Sequence, residues 1–168
     1  MRAVFAVGSF GPGVPWDVFA LFTSQREAQR HADAAAYVFR VFVLPVYEDY
    51  SEVPRAFRPP HTFRTHWLGA ATDEVVLTAE ALQDGEVEVV EAGTLVAAVD
   101  FEPPELGEVR LLFTHEEPAA PLIRETLEWG EGLLRTQRMP VYASYDDCPA
   151  EQRYAVPGPA FSQNVPPR

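Results

Sequence analysis

The 168-residue chain contains no lysine, and all 13 of its basic residues are arginine. That absence excludes Schiff-base catalysis through a lysine amine, and it excludes a phosphate-cradling loop that ends in lysine. Isoleucine occurs once, at Ile123, against 16 prolines. This bias, with Arg standing where Lys is usual, reads as the codon usage of a GC-rich genome. Cysteine also occurs once, so no intrachain disulfide can form. Cys148 follows Asp146 and Asp147, whose carboxylates disfavour a thiolate, and it reads as a spectator. No apolar run approaches the roughly 18 residues of a membrane-spanning helix. The apolar start Met1–Val7 superficially resembles a secretion signal, yet it stops at Gly8-Ser9 and leads into more strand-like sequence. The expectation is a first strand, a cytoplasmic location (or a virion, for a viral chain) and no membrane partner.

What is present is a localised excess of acid. Residues 1–60 carry six Arg and six acids, and residues 138–168 carry three of each. Residues 61–137 hold four Arg against sixteen Asp and Glu, which accounts for the whole net charge of −12. Such a field repels phosphates, so direct binding to DNA or RNA is not expected.

The pattern of apolar residues predicts an α+β fold of mainly antiparallel sheet with two helices. Val4–Val7 and Val18–Phe22 read as strands separated by a loop rich in Gly and Pro. Ser24-Gln25-Arg26-Glu27 has the form of a capping box, and Ala28, Ala32, Ala35 and Ala36 follow on one helical face. Arg26, Gln29, Arg30 and Asp33 fall on the other. Tyr37–Tyr47 is a strand apolar on both faces. Residues 1–50 therefore read as β-β-α-β. Residues 61–137 read as an acidic β-meander (strands 62–68, 74–79, 86–91, 94–100 and 108–114) closed by a helix from Pro121. Its predicted buried stripe is Ile123, Leu127, Gly130 and Leu134, widened by Leu122 and Leu133. Together 1–137 form one domain. Residues 138–168 carry six prolines and read as an extended Pro-rich, aromatic arm. No internal repeat is evident.

The candidate chemistry is sparse. Gly8-x-x-Gly11-x-Gly13 follows a strand, but the next segment is strand-like and Pro12 and Pro15 remove donors, so it reads as a hairpin loop and not a phosphate site. Ser9 lacks the G-x-S-x-G order of a nucleophile elbow. His31 lies four residues after Glu27 on the first helix and reads as a surface pair. His61 and His66 point to opposite faces of a strand. The least implausible acid–base set is His66, His115 and Glu117, with Glu116 and His61 nearby. No paired Cys/His motif or HExxH sequence occurs, so neither a metal nor another cofactor is expected.

Interaction residues are easier to nominate. Glu86 and Glu88 alternate with Val87 and Val89, and Glu108 with Val109, which sets carboxylates in a row on a wet face; Glu91, at the end of the first of these strands, is a further interaction candidate. Tyr142, Tyr145, Tyr154 and Phe161 punctuate the arm; rings at such intervals order a segment by burying themselves, on its own body or on a neighbour. The expected partner is another protein or further copies of this chain. Three functions are consistent with this reading. One is a non-enzymatic interaction or assembly (structural) protein that uses the acidic face and the arm. Another is an inhibitor or immunity-type protein that blocks a basic enzyme, as a nucleic-acid mimic. The third is a small enzyme with a His/Glu acid–base site.

Overall fold

The computed structural model describes residues 2–11, 14–35, 39–60, 87–102 and 105–153. Strand β1 (Arg2–Gly11) pairs antiparallel with β2 (Val14–Phe22), which confirms the hairpin. Helix α1 (Gln25–Ala34) follows, then β3 (Arg40–Tyr47), which returns antiparallel to β1. After a short β4 (Glu88–Val89) the same order recurs. Strands β5 (Gly93–Glu102) and β6 (Glu105–Phe113) form a hairpin, α2 spans Ala119–Glu128, and β7 (Leu134–Tyr142) returns antiparallel to β5. A single turn of helix, α3 (Ala150–Arg153), ends the described chain.

The chain is a duplicated β-β-α-β unit, and the match extends to register. Phe5 faces Phe22 and Val43 in the first unit; Val96 faces Phe113 and Arg138 in the second. Both hairpins are bulged at the same place, between Val7 and Gly8 and between Ala98 and Val99. Each third strand ends in a similar segment. Pro45-Val46-Tyr47-Glu48-Asp49-Tyr50-Ser51-Glu52-Val53-Pro54 and Pro140-Val141-Tyr142-Ala143-Ser144-Tyr145-Asp146-Asp147-Cys148-Pro149 are identical at five of ten positions. In both segments the second Tyr starts a 3-10 turn held by a capping box, Asp49 with Glu52 and Ser144 with Asp147.

Neither unit closes alone. Leu21-Phe22 pairs in parallel with Val141-Tyr142, and Val46-Tyr47 pairs in parallel with Leu112-Phe113. With these two seams the order β1-β2-β7-β5-β6-β3 returns to β1 as a closed six-stranded barrel, and β4 is added on the outside of β1. The expected meander is thus corrected: β5 runs between β6 and β7, and β3 carries the chain from one unit's sheet into the other's. Pro45 and Pro140 stand one residue before each seam. Lacking an N–H, neither can donate across it.

Equivalent strand positions fill the interior. Val4 and Leu95, Ala6 and Ala97, Val18 and Val109, Leu21 and Leu112, Leu44 and Met139, Val46 and Val141 all belong to one buried cluster. A barrel this narrow is filled by side chains, and its inside is a dry core. The helices cover its outside. Ala28 and Ala32 do let α1 approach the sheet, where Phe5, Val7, Phe19 and Phe22 meet them. Under α2 the buried residues are Ala119, Leu122 and Thr126, with Ile123 partly buried beside them, so only the start of the predicted stripe faces the core. Leu127 is 58% exposed, and Leu134 already belongs to β7. The reason is the helix end. Gly130 takes φ 69°, its N–H bonds the Leu127 carbonyl, and the Glu131 N–H bonds the Thr126 carbonyl. This pattern of reversed bonds around a left-handed glycine stops a helix.

Other expectations meet the structure unevenly. Residues 138–142, read as the start of the arm, form the second half of β7. The strand expected at 86–91 is only Glu88–Val89, paired parallel with Arg2-Ala3, so Glu91–Thr94 is no hairpin turn. The strands expected at 62–68 and 74–79 lie outside the described residues. No helix among the described residues is long and apolar enough to cross a membrane.

One shared interior predicts one unfolding transition. Leu21→Ala and Leu112→Ala, each fully buried and one from each unit, should both lower the stability of the whole barrel by about 2–5 kcal/mol in a single urea transition. Separate melting of one half would contradict the shared core.

Candidate functional site

Two places on the outside of the barrel gather polar side chains. The first lies where α1 meets the turn after β7. Ser24 caps α1 as expected, its hydroxyl accepting the Glu27 N–H at 3.3 Å. Glu27 does not complete the box. Its carboxylate turns across to the other unit, where it accepts the Tyr145 N–H (2.8 Å) and the Ser144 hydroxyl (3.3 Å), and it pairs with Arg30 (2.8 Å). The bond from the Tyr145 backbone, then Arg30, hold its pKa below the ordinary carboxylate value. Next to it His31 is fully buried, which overturns its reading as a surface partner of Glu27. Its Nε2 lies 3.0 Å from the Gln152 carbonyl, so that nitrogen carries the proton and donates. Phe22, Phe39 and the edge of Tyr145 surround the ring. Among the described residues its Nδ1 has no hydrogen-bond partner, and burial pushes the imidazole pKa down.

This first cluster is a latch and not an opening. Tyr142 packs on Phe22 at 5.8 Å and its hydroxyl donates to Gln152 Oε1 at 2.9 Å; burial pushes its pKa up to about 12. Tyr145 lies between Arg30 and Arg153, at 5.2 and 5.4 Å from its ring. Both tyrosines therefore dock on their own body. Cys148 is fully buried and its thiol is pushed up to about 11, chiefly by burial, with Arg153 opposing and Glu151 adding to the shift. Burial, and not the adjacent Asp146 and Asp147 on which the sequence reading relies, is the main cause. In the other unit the same contact is built from Tyr50, whose hydroxyl donates to Glu125 on α2.

The second place is at the start of β5. An open groove of about 430 Å³ is lined by Thr94, Val96, Thr114, His115, Glu117 and Arg138, with Glu116 at its rim. A second groove of about 390 Å³ adjoins it, sharing Thr94 and Thr114, and is bordered by Glu88 and Glu91. His115 and Glu117 are brought together here, Nε2 to Oε2 at 3.6 Å, while His115 Nδ1 lies 2.7 Å from the Thr114 hydroxyl. Both side chains are open to solvent, Glu117 at 93%. Glu88 and Glu91 are exposed as well. Glu88 has Arg2 at 3.9 Å and Glu116 has Arg138 at 4.0 Å, distances that exposed ion pairs hold only weakly.

The remaining nominated residues fall elsewhere. His66, Glu86, Tyr154 and Phe161 lie outside the described residues, as does His61, and Glu108 is placed on β6 by its backbone alone. Among the described residues no three His, Cys, Asp or Glu side chains are grouped to hold a metal ion. Sequence reasoning missed Glu27 and His31 as bridging residues because their partners lie more than a hundred positions away. It also missed Gln137, a buried amide whose Oε1 has no partner among the described residues, at the position that Phe42 fills in the first unit. The repeated Pro-Val-Tyr-x-x-Tyr segment was the available signal. Compared with protein-family models, curated proteins and solved structures, the chain matches none.

His31 gives the latch a pH dependence with a definite sign. Folding lowers the imidazole pKa, whereas an unfolded His takes up its proton near pH 6.5. Its contribution is therefore complete above about 6.5 and is lost as pH falls below that value. Chemical denaturation should show stability falling from pH 7 to pH 5, and His31→Phe should flatten that fall. Equal slopes in the two proteins would contradict the role given to His31.

Proposed function

We propose that this protein is a non-enzymatic interaction or assembly protein and that its contact surface is the acidic ground around the start of β5. One observation carries the reading: four exposed carboxylates, Glu88, Glu91, Glu116 and Glu117, border two adjoining open grooves. The chain bears a net charge of −12, so a basic protein would be drawn to this surface and steered onto it. An enzyme reading is less well supported. The barrel interior is aliphatic, and His115 and Glu117 stand exposed to solvent at its outside. Mimicry of nucleic acid would need a long regular row of carboxylates, and β4 supplies a strand of only two residues.

The Pro-rich, aromatic arm belongs to this proposal in a narrower form. Its first part, through Arg153, is committed to the barrel and the latch; Tyr154 and Phe161 lie outside the described residues. Truncation after Arg153 keeps every described element, whereas truncation after Gln137 would remove most of β7.

Cross-linking of the full chain in its host, followed by mass spectrometry, should identify a partner with a basic face joined to residues near 88–94 or 114–117. Its affinity should fall by roughly tenfold or more between 50 and 200 mM salt, and further when Glu88 and Glu91 are both changed to Gln. A salt-insensitive complex, or one joined only elsewhere, would refute the reading.

A further inference from the structure

The two halves differ in one respect that points to a binding mode. In the first unit β2 has already ended where β1 begins, because Phe5 is the residue opposite Phe22. Ala3 faces Pro45 on β3, and its carbonyl points the other way. That outward side is taken by β4. Arg2 and Ala3 pair in parallel with Glu88 and Val89, the Val90 N–H donates to the Ala3 carbonyl at 2.9 Å, and Val89 packs over the cluster that contains Phe5 and Val43. In the second unit β6 has likewise ended, Val96 being opposite Phe113, and Thr94 faces Pro140 as Ala3 faces Pro45. The register is the same, so the Thr94 N–H and C=O also point outward. Here, among the described residues, no strand pairs with that side. Gly93 and Thr94 are exposed and the groove over Val96 is open.

We propose that the start of β5 is a strand-addition site, which takes an extended segment of a basic partner in parallel, as β4 lies on β1. The inference rests on the interaction reading above and specifies its site and the form of the partner. Main-chain bonds to Thr94 supply attachment, and alternate side chains supply selectivity. The guest residue opposite Thr94 stands over Val96, where a β-branched apolar side chain matches the place of Val89. The N–H of the next guest residue reaches the Thr94 carbonyl. Glu116 and Glu117 on one side, with Glu91 on the other, favour Arg or Lys in the flanking guest positions. The guest is a basic peptide segment and not a second copy of this acidic chain, whose like charge opposes such pairing.

The test uses the full chain and a capped peptide, Arg-Arg-Thr-Val-Val-Arg-Arg, in amide-resolved NMR titration. Expected are shifts confined to Gly93–Val96 and Thr114–Glu117, with slowed hydrogen exchange at the Thr94 amide. N-methylation of the second Val should weaken binding by about fivefold or more, the loss of one hydrogen bond. The double variant Glu116→Gln, Glu117→Gln should weaken it while leaving Thr94 protected at saturation. Peptide binding that leaves Thr94 unshifted and is indifferent to N-methylation would overturn strand addition and leave the acidic-surface reading standing. No binding of this peptide, together with salt-insensitive partner binding, would overturn both. Concentration-dependent Thr94 protection without peptide would overturn the choice of guest in favour of a second copy.

Discussion

Two parallel seams, each two residues long, join three strands of one unit to three strands of the other. Leu21-Phe22 meets Val141-Tyr142, and Leu112-Phe113 meets Val46-Tyr47. Directly beyond them the Thr23 N–H donates to the Tyr142 carbonyl and the Thr114 N–H to the Tyr47 carbonyl, both at 3.0 Å. Without the seams each unit would be an open sheet with bare edges and an apolar face in water. With them, both faces are used: one set of alternating residues fills the barrel and the other seats the helices. A ring pair marks each seam on the outside, Phe22 with Tyr142 and Phe113 with Tyr47. The closure is thus sealed by hydrogen bonds along the wall and by aromatic contacts over it.

The repeat explains how so short a contact suffices, since the seam is made twice, once from each unit. It also shows where the halves have diverged. The bulge residue is Phe19 in the first unit, packed on Phe39, and Arg110 in the second, which grips Asp100 with both ends of its guanidinium. The helix position that touches the partner unit's 3-10 turn is His31 in one and Glu125 in the other. The barrel interior has not diverged in kind, because every position there must fill the same confined space with aliphatic volume. Differences lie on the outer surface, and one of them is that β4 covers the start of β1 while, among the described residues, no strand pairs with the outward side of the start of β5.

The first unit was legible in the sequence and the second only in pieces. The order β-β-α-β, the Ser24 cap and the alanine face of α1 follow from local patterns that the fold keeps. The second helix is legible up to Leu122 and Ile123, but the helical spacing of Leu127, Gly130 and Leu134 misleads, since Gly130 stops the helix and Leu134 starts a strand. Strand β7 was lost because Arg135, Gln137 and Arg138 interrupt its apolar alternation. Those residues stand opposite Val99, Ala97 and Val96, so pairing with β5 makes the strand, which local preference does not. The acidic array was seen as a row along strands; the groove that organises Glu88, Glu91, Glu116 and Glu117 depends on seams and register that no local window contains. His31 shows the same limit: its burial comes from Gln152 and Tyr145, far along the chain.

The shared interior, the latch and the grooves all depend on the closure of the barrel across its two halves. Native-state hydrogen exchange followed residue by residue reads this directly, because the amides of Thr23 and Thr114 sit beyond the strand ends and are protected only if the opposite unit supplies their acceptors. Both should exchange in the slowest class, together with the interior amides of β5, and should open only in the global transition. Fast exchange at Thr23 and Thr114, with protection confined to the hairpins, would show two separate sheets and contradict the account.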